Sequence, residues 1–171
     1  MEVFDRFFRV SPEELRAAEF LNYGRGYSSH LRESLHGHSD VLDHAIENIE
    51  FLFYSLIVAL ASADFAAIIK YGPGSPKAEK LLGLMIQSAE KVNPHIRKNL
   101  MYHKGFLDAM ESEGRLHKDG LTIPQASGCW VLMALVKQNR IDLDDPQILE
   151  AGQLLGDSIY QRFRSFWDEI G

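Results

Sequence analysis

Residues 51–69 read FLFYSLIVALASADFAAII, nineteen residues whose only charge is Asp64. Apolar surface of that extent is not left in water, so something must cover it. Upstream, the same helical register runs back to Ser39; downstream, Gly72-Pro73-Gly74 ends it. Ser39 suits an N-cap, and Asp40 and Asp43 fall in the first turn, where the helix dipole favours carboxylates. The spacing therefore predicts one long helix over residues 39–71, which at 1.5 Å per residue would extend about 50 Å.

Turned at about 100° per residue, this helix changes character midway. In its first half Leu42, Ala45, Ile46, Ile49, Leu52 and Phe53 gather on one side, with Asp40, Asp43, His44 and Glu47 opposite. From Phe51 onward the opposite side is taken over by Phe51, Tyr54, Val58 and Phe65, so the helix becomes apolar all round. These four residues, with Phe166 and Trp167 near the end of the chain, are the candidate contacts for a protein partner. Ser55, Ala59, Ala63 and Ala67 form a small-residue ridge, and Gly152-x-x-x-Gly156 is the thin spot expected to meet it. Asp64, flanked by Ile57, Leu60, Ala61 and Ile68, is expected to be a buried carboxylate that needs a cationic or hydrogen-bonding partner or a raised pKa.

Three covers compete for the run: the protein's own core, a second copy, and a bilayer. Nineteen apolar residues are long enough to span a membrane. Against insertion, Asp64 near the centre would cost roughly 2.5–3.5 kcal/mol. The register also continues back through charged turns, and the flanks carry no clear Trp/Tyr belt. The bilayer is the least favoured of the three.

The other helix starts are well marked. Ser11-Pro12-Glu13-Glu14 is a capping box with proline in the first turn, predicting a helix to about Tyr23. Gly24-Arg25-Gly26 reads as a break, followed by a short helix capped by Ser28 or Ser29 and ending near His36. Ser75-Pro76 and Asn93-Pro94 open helices over about 76–92 and 94–112, with Ile96, Leu100, His103, Leu107 and Met110 along the apolar stripe of the second. Ile123-Pro124 and Asp144-Asp145-Pro146 open two more, the former ending at Asn139. The last shows Ile148, Gly152, Leu155, Ile159 and Phe163 in steps of three and four. No segment alternates with period two. The expected fold is all-α: a single domain over residues 1–171, six or seven helices around the long one.

Composition agrees with a folded chain, at 46% apolar and 25% charged in 171 residues. One cysteine, Cys129, lies in an apolar run and has no internal partner, which fits a reducing compartment. The first ten residues are too short and too charged for a signal peptide. The expected location is cytoplasmic.

The net charge of −6 is unevenly spread: residues 75–104 hold 6 basic and 2 acidic side chains, whereas residues 1–50 hold 5 and 10. Lys77, Lys80, Lys91, Arg97, Lys98 and Lys104, with His95, Tyr102 and His103 among them, are a candidate basic patch for an acidic protein segment. An acidic chain with one such segment is a poor nucleic-acid binder, and none is expected as a partner.

Four histidines fall between residues 30 and 44, interleaved with acids. Glu33-x-x-His36 has the i, i+3 spacing of carboxylate-bundle metal ligands, so Glu33, His36, His38 and His44 are candidate metal ligands. The second Glu-x-x-His that such a site needs is missing: Glu113 and His117 are four apart. No Gly-x-Ser-x-Gly elbow occurs either. No cofactor is expected. The function these observations point to is non-enzymatic: a helical binding or assembly protein that takes a protein partner or a second copy of itself. A metal-dependent helical enzyme and a membrane-associated protein held through residues 51–69 are the alternatives.

Overall fold

A computed structural model describes residues 11–116, 120–136 and 142–170, excepting the side chains of Arg25, Ser28, Val136 and residues 165–170. It is all-α, with seven helices and no strand among the described residues. In chain order they are α1 (Pro12–Leu35), α2 (Asp40–Glu47), α3 (Phe51–Tyr71), α4 (Pro76–Glu90), α5 (Ile96–Ser112), α6 (Ile123–Val136) and α7 (Pro146–Ile170). The central element is α3, which touches each of the other six.

The stretch 39–71 is not one helix. It divides at Asn48, whose backbone leaves the helical region (φ −66°, ψ 134°). The Asn48 side chain accounts for the break. Its Oδ1 accepts from the Glu50 backbone N–H at 2.9 Å, and its Nδ2 donates to the Leu135 carbonyl at 3.2 Å. Asparagine competes with the helical ladder in this way wherever a tertiary acceptor rewards it. The break also reorients the apolar face expected to run straight through. Leu42, Ala45 and Ile46 enter the core, whereas Ile49 stands 90% exposed at the joint.

The opposite correction applies to α1. Gly24-Arg25-Gly26 does not interrupt it, and a single helix runs from Pro12 to Leu35 behind the expected capping box, Glu14 N to Ser11 Oγ and Ser11 N to Glu14 Oε2. Two mid-helix glycines cost about 1 kcal/mol each. Full burial of Phe20, Leu31 and Leu35 on the same helix contributes about 1.5–3 kcal/mol apiece, so packing wins.

Thr122 and Gln125 form a reciprocal cap at the start of α6, each backbone N–H reaching the other's side chain at 3.1 and 3.4 Å. The expected end of that helix at Asn139 lies outside the described residues. The most extensive interhelical contact is α6 with α7. It is glycine-to-glycine: a Cβ on Gly128 would overlap the Gly152 carbonyl, and one on Gly156 would overlap the Pro124 carbonyl. The thin spot Gly152/Gly156 therefore meets Pro124, Gly128 and Cys129 of α6. The Ser55/Ala59/Ala63/Ala67 ridge expected to receive it is itself buried inside the bundle.

On α7, Phe163 seats among the rings of Phe20, Tyr23 and Tyr27 from α1, with centroids 5.2, 5.7 and 5.5 Å away. Tyr27 also donates to the Ser158 carbonyl at 2.7 Å, tying α1 to α7.

Candidate functional site

The partner-contact candidates on α3 separate by position. Phe51 and Val58 are fully buried, so neither is available to a partner. Both fall on the side of α3 that the bundle covers, because the joint at Asn48 ends the continuity with the wet face of residues 40–47. Tyr54 is half-buried, its ring 5.5 Å from Trp130 and 5.1 Å from Phe53. Phe65 remains outside at 50% exposure. The side chains of Phe166 and Trp167 lie outside the described set.

Two residues that the sequence did not single out join Phe65. Ile68 is exposed and Ile69 is 70% exposed, and spacing of i, i+3, i+4 puts all three on one face of α3. Beside them runs a trough of about 850 Å³ whose walls include Ala66, Pro124 and Tyr160, with Lys70, Asp157 and Arg164 among its polar members. Within α3, 44% of an 18-residue apolar window is buried.

Asp64 is not the buried carboxylate expected. It is exposed, one residue before Phe65 at the uncovered end of α3. Apolar surroundings still push its carboxyl above the usual range, and Lys104 on α5 pulls it back in part. The expectation of burial rested on continuous helix packing along α3, which the bundle does not provide at that end.

Nor does a metal site form. Glu33, His36, His38 and His44 are all exposed, and no group of three or more His, Cys, Asp or Glu side chains converges among the described residues. Among the described residues these candidates pair in twos: His30 Nδ1 with Glu33 at 3.8 Å, and His36 Nδ1 with Asp43 at 3.4 Å. His36 caps the end of α1 and His44 closes α2, so the turn between these helices separates the candidates instead of gathering them.

The basic residues are spent locally. Arg97 holds Glu90 through two bonds of 3.0 and 3.1 Å, and Lys80 reaches Glu13 on α1 at 3.5 Å. Lys77 sits 4.8 Å above the Tyr71 ring and Lys98 5.4 Å above that of Tyr102. Lys104 lies near enough to Asp64 to lower its carboxyl, and Lys91 is exposed.

One polar cluster lies where sequence reasoning placed only an apolar stripe or a basic segment. His103 is buried, with Nε2 2.9 Å from Ser127 Oγ, and its ring stands edge-on to Trp130 at 5.0 Å. Ser127 Oγ donates to the Ile123 carbonyl at 2.9 Å and lies 3.5 Å from Tyr160 OH. A hydroxyl has one proton: on the Ile123 carbonyl it leaves His103 Nε2 as the donor to Ser127, and on His103 Nε2 it makes Ser127 the donor, so the direction follows the His103 tautomer. In either case the Ser–His pair joins α5 to α6, and burial pushes His103 down to about 4. Cys129 is inert: buried, with its thiol pushed up to about 11.

Compared with family models, with curated proteins and with solved structures, the chain finds no match.

Proposed function

We propose that the protein is a helical binding and assembly protein that associates copy to copy through the uncovered end of α3. The observation that supports this most is the apolar face of Phe65, Ile68 and Ile69 on a helix that elsewhere forms the centre of the bundle. Large exposed apolar side chains clustered on one face, rimmed by polar residues, mark interaction surfaces. The rim also favours a second copy over an unrelated partner. Lys70 and Arg164 lie on the same trough as Asp157, so a twofold contact can set the cations of one copy against the carboxylate of the other.

Sedimentation velocity tests the reading. The chain is expected to sediment as a dimer that Phe65→Glu and Ile69→Glu convert to monomer with helicity unchanged. A wild-type chain that stays monomeric at every accessible concentration overturns it.

A membrane reading has one observation in its favour: Phe51–Tyr71 is long and apolar enough to cross a bilayer. Insertion would strip Ile57, Val58 and Leu60 from their buried places against the other helices. Full recovery in the supernatant after high-speed centrifugation without detergent removes this reading; sedimentation with vesicles would support it instead.

A further inference from the structure

A second apolar recess lies at the other end of α3, away from the trough. It is a cavity of about 300 Å³ between α1, α3 and α7, reaching the turn after α4. Its floor is core: Leu31, Ala89, Ile96 and Phe163 are all buried. Its mouth is flanked by Ile49, Leu52 and Val92, which are exposed. The joint at Asn48 creates the opening, because it swings Ile49 out of the core line that residues 42–46 follow.

Ser55 supplies an independent observation. It contributes to the cavity wall, is only 8% exposed, and its hydroxyl has no hydrogen-bond partner. Helical serines usually return the proton to a carbonyl three or four residues back, as Ser62 does to Ala59 at 2.7 Å. An unpaired buried hydroxyl is costly and calls for a partner. None of the described residues lining the cavity is charged, so an ionised ligand would enter unpaired. A methylene group fills roughly the volume of a water, about 30 Å³. The recess therefore accommodates on the order of ten such groups.

We propose that this cavity binds a neutral, apolar small molecule of about that size carrying one hydroxyl or carbonyl, which pairs with Ser55. The apolar body lies against Leu31, Ile96 and Phe163, and the mouth residues close over its outer end.

Methyl-resonance titration of the full chain with 1-octanol, and with octanoate at neutral pH, tests the proposal. Saturable shifts at the Leu31, Leu56 and Ile96 methyls are expected with 1-octanol, and binding at least about tenfold weaker with octanoate. Ser55→Ala, checked for unchanged helicity, should weaken 1-octanol about fivefold. The proposal is overturned by shifts that fail to saturate or that appear only at Ile68 and Ile69. Equal affinity for octanoate, or unchanged affinity in folded Ser55→Ala, overturns it as well. Sedimentation of the same samples reads the copy-to-copy contact separately, so the two ideas fail independently.

Discussion

His103 Nε2 lies 2.9 Å from Ser127 Oγ, inside the bundle, joining α5 to α6 across 24 positions of sequence. The folded protein holds His103 neutral down to about pH 4, whereas an unfolded chain takes up the proton near 6.5. The unfolded state thus binds more protons in between, and stability falls as the pH drops from 6.5 towards 4, by about 3 kcal/mol in all. Above 6.5 this contribution is complete and flat. Urea unfolding at pH 7.5 and pH 5 should show the loss, and His103→Leu should show a smaller one. Equal losses in the two proteins would mean that His103 is not the buried base.

The glycines of the α6–α7 contact and of α1 should respond oppositely to the same substitution. Gly128→Ala and Gly156→Ala drive a Cβ into backbone atoms of the facing helix, which cannot rotate aside. The expected cost is about 3 kcal/mol or more. At Gly24 an added Cβ would meet only Phe163 at 3.7 Å and Leu56 at 3.8 Å, ordinary contacts. Gly24→Ala should therefore stabilise by about 0.5–1 kcal/mol, through a lower helix-forming cost. Denaturant midpoints of the three variants check the sign of each.

Asn48→Ala removes both bonds that hold the α2–α3 joint, leaving the Leu135 carbonyl and the Glu50 N–H without their partner. A loss of about 1–2 kcal/mol is expected. Asn48→Asp keeps the acceptor for Glu50 but not the donor for Leu135, and should fall between. If the two substitutions are equally harmful, the tertiary bond to Leu135 dominates the joint.

What could be read in advance, and what could not, divides at these same residues. Proline in the first turn, the Ser11/Glu14 box and the glycine-bounded end at Gly72 are contacts among near neighbours, and the structure keeps them. The all-α fold, with α3 at its centre, follows from periodicities of the same short range. The exposed Ile68 and Ile69 carry no mark in the sequence, since α3 is apolar all round. Nothing in such a helix says which face its neighbours leave uncovered.

The sequence by itself determined the class of structure, the starts of most helices and the demand of residues 51–69 for cover. It determined these because caps, proline and helical periodicity act within a turn or two of the chain. Only the tertiary structure decided that Asn48 divides residues 39–71, that Gly24 and Gly26 do not divide α1, and that Asp64 stays outside. Each of those outcomes depends on a group far along the chain. The carbonyl of Leu135 rewards the break, and the ring of Phe163 lies against the continuous helix at Gly24. At Asp64 the described residues of the other helices leave the side chain exposed. Local sequence offers both conformations at such places, and long-range packing selects between them.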